Sequence, residues 1–175
     1  MNTSAIIVCA GNSTRMGGVN KILIPLGDTL VIGNTLRAFE NAPSIKEIII
    51  VTKNECVSEI KKEAERIGIT KPLKFAEGGE TRQQSVINGM RCIGSDTEMV
   101  AIHDGARPLV SQEIIKRAIR TAAKYSAAAP AVQVVDTIKV VEQGVVASTP
   151  DRSTLYAVQT PQVFDVIKYR AARAI

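Results

Sequence analysis

The chain has 175 residues, 45% of them hydrophobic and 22% charged, the balance of one globular domain with its own core. Its formal net charge is +5, but the cations are spread along the sequence, and aromatics make up only 3% with no Trp. This excludes a base-stacking platform for single-stranded nucleic acid and suits a pocket for small polyanions.

Residues 6–9 read as a buried strand. Residues 30–41 have helical apolar spacing through Leu30, Leu36 and Phe39 and stop before Pro43. Ile45–Thr52 is rich in β-branched residues and reads as a second strand. Residues 56–67 form an amphipathic helix with Val57, Ile60, Ala64 and Ile67 on one face, ended by Gly68. A short strand is expected at 73–76 and a helix at 82–93, with Val86, Met90 and Ile93 facing the core. A strand at 99–103 precedes a helix over Gln112–Tyr125 capped by Ser111. Another strand begins at 127–131.

This alternation predicts an α/β fold, a Rossmann-like three-layer α/β/α arrangement with a mostly parallel central sheet. The pattern breaks at 132–156. Residues 132–141 and 144–148 read as strands joined by Glu-Gln-Gly, a hairpin signal. Two readings stand open: a projecting β-hairpin arm that reaches a second subunit, or an edge hairpin of the same sheet. Residues 159–162 read as a structural turn and 165–175 as a helix.

Loops at the carboxyl ends of parallel strands form the binding crevice of such folds. Three fall there, at 10–21, 77–82 and 103–108. The first contains Ala10 and Gly11 and then presents Arg15 and Lys21. Backbone N–H groups of a glycine-containing loop approach phosphate oxygens closely, and two cations offset their charge. It is neither a P-loop nor a dinucleotide fingerprint, which disfavours a nicotinamide-dependent oxidoreductase. The second holds Gly78, Gly79 and Glu80 ahead of a helix start, with Ser85 one turn in. It reads equally as a capped turn or as a cradle for a planar ligand. In the third, Asp104 can take magnesium or sugar hydroxyls, and Arg107 can pair with Asp104 or hold an anion. His103 is the one histidine, and at a strand end it reads as a packed structural residue. Thr137 and Arg152 flank the hairpin as solvated polar positions.

Cys9, Cys56 and Cys92 lie far apart, and no pair has metal-ligand spacing. Free thiols in a reducing compartment are expected, with Cys9 a small core residue. No apolar run approaches membrane-spanning length, and no leader is recognisable at the start, so a cytoplasmic protein without membrane or nucleic-acid partners is expected.

Six motifs occur in order: Ala-Gly-x-x-x-Arg-Met with a downstream Lys, Gly-Gly-x-x-Arg-x-x-Ser, His-Asp-x-Ala-Arg-Pro, Asp-Thr-Ile-Lys, Asp-Arg-x-x-Leu and Gln-Thr-Pro-Gln-x-Phe. Together they resemble 2-C-methyl-D-erythritol 4-phosphate cytidylyltransferases, nucleotidyltransferases with a glycosyltransferase-A-like fold, over residues 4–164. The resemblance implies transfer of the cytidylyl group from CTP to the erythritol phosphate, with pyrophosphate released, in non-mevalonate isoprenoid synthesis. Mg2+ would be bound mainly through the CTP phosphates, with no protein metal ligand assigned.

The resemblance further implies Arg15 and Lys21 as transition-state cations, and Ala10, Gly11, Gly78, Gly79, Glu80, Ser85 and Asp104 around the nucleotide. Asp104, Arg107, Thr137 and Arg152 would meet the acceptor, the last two from the partner of a homodimer joined through the arm. Asn20-Lys21-Ile22 stands where the family has Pro-Lys-Gln, and the lysine is kept. The family's Asp-rich turn and late Asn-x-Lys segment have no counterpart, so a single domain over 1–175 that lacks the C-terminal part of the family fold is expected. A ribitol 5-phosphate cytidylyltransferase and a shortened nucleotide-binding protein without activity are the alternative readings.

Overall fold

The computed structural model describes residues 1–11 and 20–172. In chain order these form β1 (Thr3–Val8), a helical turn at Lys21–Leu23, β2 (Pro25–Leu26), β3 (Thr29–Leu30), α1 (Val31–Glu40) and β4 (Ile45–Thr52). Next come α2 (Val57–Arg66), β5 (Leu73–Glu77), α3 (Arg82–Met90), β6 (Met99–Asp104) and α4 (Gln112–Tyr125). The remainder is β7 (Ala127–Ala128), β8 (Ala131–Gln133), β9 (Val140–Glu142), β10 (Val145–Ser148), β11 (Tyr156–Val158), β12 (Gln162–Asp165) and α5 (Val166–Ala171).

The main sheet runs β5-β4-β1-β6-β12-β7. Its first four strands are parallel, and β12 is antiparallel to both of its neighbours. β1 and β4 are apolar at successive positions because both faces of the sheet are covered. Ala5, Ile7, Ile48 and Ile50 pack under α1, α2 and α4, while Ile6, Ile49 and Val51 pack under α3 and α5. This is the expected three-layer α/β/α architecture. Ser111 caps α4 as expected, its side chain accepting from the Ile114 N–H.

Four expectations need correction. The strand expected at 132–141 is two pieces: β8 pairs with β11, and β9 pairs with β10. These ribbons lie outside the main sheet, so the edge-hairpin reading falls. The β9–β10 turn is as read, with Gln143 at φ 50° and Gly144 at φ 82°, a conformation in which glycine carries no Cβ penalty. The strand expected at 127–131 breaks at Pro130, which has no N–H to give a ladder, so β7 stays in the sheet and β8 starts the arm. The turn at 159–162 is partly strand, since Gln162 opens β12 alongside β6. α3 stops at Met90, and Ile93 packs against the core from beyond its end.

One buried carboxylate fastens the segment behind the first loop. Glu63 on α2 is 6% exposed. It accepts from the Leu30 N–H at 2.9 Å, from the Thr29 hydroxyl, and from Arg66 Nε and Nη2, each at 2.8 Å. Gly33 on α1 leaves room for it, because a Cβ there would overlap Thr29 Oγ1. The β2–β3 hairpin and the Lys21 turn ahead of it are thereby tied to α2.

The Arg66 guanidinium chiefly holds the Glu63 carboxyl down from 4.5 to about 2, with the Thr29 and Leu30 hydrogen bonds adding to it. A depressed folded-state pKa stabilises above the unfolded value, and that contribution is lost as pH falls from 4.5 towards 2. Glu63→Gln is expected to lower stability by about 2 kcal/mol at neutral pH. Urea titrations across that acid window should show the gap between variant and parent closing as the parent carboxylate protonates.

Candidate functional site

Because β1, β5 and β6 are parallel, the loops that follow them emerge on one edge of the sheet. Two cavities open there, of about 510 Å³ and 600 Å³. The first is lined by Ala10, Gly78, Gly79, Glu80 and Ser85, with Lys53, Asn54 and Glu77 beyond. The second is lined by Cys9, Asn20, Lys21, Asp104, Ala106 and Arg107. Gly11 and Arg82 belong to both, so this is one two-lobed crevice.

The first lobe owes its shape to close backbone approach. A Cβ on Gly78 would overlap the Ala10 methyl, and one on Gly79 would overlap Gln84. Thr81 caps α3 by accepting from the Gln84 N–H at 3.0 Å. The buried Ser85 hydroxyl donates to Thr81 O and accepts from the Gly79 N–H, both at 3.0 Å. The sequence puts Ser85 one turn into the helix, where it can point back to the crevice. Its hydroxyl lies on the crevice wall, bonded to the glycine loop.

In the second lobe, Asp104 at the end of β6 sits between two guanidiniums. Its Oδ1 accepts from Arg82 Nε and Nη2 at 3.2 Å each, and its Oδ2 accepts from Arg107 Nε at 3.0 Å. The ion-pair reading of Asp104 and Arg107 therefore holds, with Arg82 added. Opposite them, the Lys21 turn is fixed by Asn20. The Asn20 carbonyl accepts from the Ile22 N–H, and its amide donates to Cys56 Sγ at 3.0 Å.

His103 is fully buried below the third loop. A backbone carbonyl only accepts, so Nε2–H donates to Arg107 O at 3.0 Å, which leaves Nδ1 to accept from the Thr160 hydroxyl at 2.9 Å. Burial pushes its pKa down, the Arg107 carbonyl opposing, and the ring stays neutral against Phe39. It is the packed residue the sequence suggested. Burial likewise pushes the Cys9 thiol far above its ordinary range, which removes it as a nucleophile.

Arg15 lies outside the described residues. Thr137 and Arg152 are exposed on the arm and line neither lobe of their own chain; Arg152 Nη1 donates to Val135 O at 3.2 Å. Arg82, the arginine of the Gly-Gly-x-x-Arg motif, has no role assigned by the sequence alone. The available signal was its place at the first turn of a helix behind two glycines. Among the described residues, no three potential metal ligands cluster. The second lobe, among the described residues, sets Lys21, Arg82 and Arg107 against one carboxylate, Asp104, a balance that suits polyanions.

A family model described as 2-C-methyl-D-erythritol 4-phosphate cytidylyltransferase matches residues 3–174. A protein of that name from Caldanaerobacter subterraneus subsp. tengcongensis is 48% identical over 168 residues, covering 94% of this chain and 74% of the relative. Another from Geobacter metallireducens is 38% identical, covering 100% of this chain and 78% of the relative. The crystal structure of 4-diphosphocytidyl-2C-methyl-D-erythritol synthase from Anaerococcus prevotii superposes with a TM-score of 0.85 at 30% identity, covering 99% of this chain and 75% of that one.

The glycines of the crevice separate a packing requirement from mere conformational freedom. Gly78→Ala forces the Ala10 loop aside and is expected to lose about 1–3 kcal/mol in a denaturant titration. Among the described residues nothing stands within 4 Å of a Cβ built on Gly11, so Gly11→Ala should stay within about 0.5 kcal/mol of the parent.

Proposed function

The chain belongs to the 2-C-methyl-D-erythritol 4-phosphate cytidylyltransferase family, and from the two-lobed crevice we infer how it carries out that reaction. As a nucleotidyltransferase of isoprenoid precursor synthesis, it moves the cytidylyl group of CTP onto the erythritol phosphate. The relatives do not favour a ribitol phosphate acceptor.

The observation that carries the reading is the pair of lobes meeting at Gly11 and Arg82. The cytosine enters the first lobe, against the flat Gly78–Gly79 backbone and Ala10. The triphosphate crosses Gly11 into the second lobe and meets Lys21, with Arg15 on the same loop in sequence. The erythritol phosphate lies by Asp104 and Arg107. Its phosphate oxygen attacks the α-phosphorus as the bond to the pyrophosphate oxygen breaks. That oxygen is already anionic, so no proton need be removed, in keeping with a His103 that is neutral and bonded at both nitrogens. Catalysis then rests on holding two polyanions in line and matching the added charge with fixed cations.

The donor set fits a magnesium ion carried mainly by the CTP phosphates. Mg2+ takes one or two carboxylates, keeps much of its water, and Asp104 is the carboxylate that would receive it. When bound, the ion neutralises triphosphate charge.

We place Thr137 and Arg152 in the acceptor pocket of a second copy. The support is an arm lying outside the sheet, with Val135 79% and Val145 70% exposed, apolar surface that a homodimer would cover. Arg152 offers the guanidinium fork that suits a phosphate. A cytoplasmic location agrees with the finding that no described helix is long and apolar enough to cross a membrane.

Lys21→Ala and Arg15→Ala should each lower kcat for pyrophosphate release on the order of a hundredfold, with a much smaller change in CTP affinity. Equal losses in both quantities would contradict a transition-state role. Mixing Arg152→Ala with Arg107→Ala protein should restore part of the activity that each lacks alone, if acceptor sites are shared between copies. Two inactive variants that stay inactive when mixed would refute sharing.

A further inference from the structure

Arg82 is the one charged side chain that lines both lobes among the described residues. It opens α3 directly behind the Thr81 cap, and its side chain is 47% exposed. Its direction is set from across the crevice, because Nε and Nη2 both point to Asp104 Oδ1. Asp104 is itself held by Arg107 through the other oxygen. Two guanidiniums on one carboxylate leave net positive charge, and an exposed pair adds little to stability. The arrangement does, however, hold a planar cation in place at the junction of the lobes.

This inference rests on the reading of the crevice given above. With the base in the first lobe and the outer phosphates in the second, the portion of nucleotide at the junction is the ribose and α-phosphate. We propose that Arg82 is a further substrate-contacting cation, placed at the lobe junction to grip the α-phosphate of CTP and releasing Asp104 Oδ1 as it does so. The guanidinium fork that now meets one carboxylate oxygen matches phosphate oxygens equally well, and the anionic α-phosphate of a polyanionic triphosphate competes for it. No bond is made or broken in the exchange. It leaves Asp104 with one oxygen unpaired at the moment the acceptor must bind beside it. Nucleotide and acceptor binding are thereby coupled, and the coupling is reciprocal.

The test uses Arg82→Met, which keeps the apolar stem, and Arg82→Lys, which keeps a charge without the fork. Calorimetry with cytidine, CMP and CTP is run beside pyrophosphate release. Arg82→Met is expected to leave cytidine affinity within about twofold, to weaken CMP tenfold or more, and to lower kcat on the order of a hundredfold. Arg82→Lys should recover part of the CMP affinity. Equal weakening of cytidine and CMP in Arg82→Met would show that Arg82 only shapes the loop, and would overturn the proposal. Unchanged CMP affinity in that variant would overturn it too while leaving the crevice reading intact. A parent chain that binds neither CMP nor CTP would overturn both.

Discussion

The strand order reverses at β1, and the crevice follows from that reversal. From β1 the chain builds outward to β4 and β5, then crosses back to place β6 on the other side of β1. Loops leaving β1 and β6 must diverge to reach helices in different places, and the gap between them is the binding crevice of open α/β sheets. The reversal is possible because β1 is covered on both faces. Ala5 and Ile7 face one helical layer and Ile6 the other, so the strand tolerates parallel neighbours on either side. Third-loop packing depends on the residue just past that strand, since Cys9 Sγ lies where a Cβ on Gly105 would stand.

On that frame, the charges are arranged around a neutral anchor. His103 ties its own strand end to the Arg107 carbonyl and to Thr160, and the Asp104 N–H reaches the same Thr160 oxygen at 3.4 Å. With the ring uncharged, the anchor adds no net charge to the crevice. Among the described residues, the field there comes from Lys21, Arg82 and Arg107 against the single Asp104 carboxylate of that lobe. This imbalance suits a ligand with several negative charges and suits a neutral sugar poorly. Arg107 also reaches Gln159 at the root of the arm, so the crevice and the arm share one side chain.

Much of this was legible in the sequence because periodicity reports burial. Ile45–Thr52 and Gln112–Tyr125 read with the observed bounds, one as a β-branched run and the other as an amphipathic stripe behind a serine cap. Ala10, Gly11, Gly78, Gly79, Lys21, Asp104 and Arg107 were legible as crevice residues because each follows a strand end. The arm was less legible. Val132, Val140 and Val145 are all exposed, so alternation there carries no memory of a core face, and pairing is set by partners far along the chain. β12 was hidden for the opposite reason, as a four-residue strand behind a proline has too little length to show a period. Arg82 was hidden because its significance is a matter of distance to Asp104, 22 positions away, which no local pattern encodes.

Positioning two polyanions in line demands more of the scaffold than binding them does, because a misplacement of about 1 Å can cost a hundredfold in rate. The Lys21 turn shows how that demand is met in a loop. Its helical turn is too short to hold itself, with one hydrogen bond from Leu23 N to Asn20 O at 3.0 Å. α2 and the residue that caps it supply the rest from two points, Cys56 below Asn20 and Glu63 below the β2–β3 hairpin. Val31 N closes the hairpin onto Ile24 O at 2.9 Å, so the segment after Lys21 is braced on both sides. A buried carboxylate remote from the crevice thus serves the same end as the cations inside it. Glu63 fixes where the Lys21 charge stands, and Asp104 fixes where the Arg82 charge stands until a phosphate takes its place.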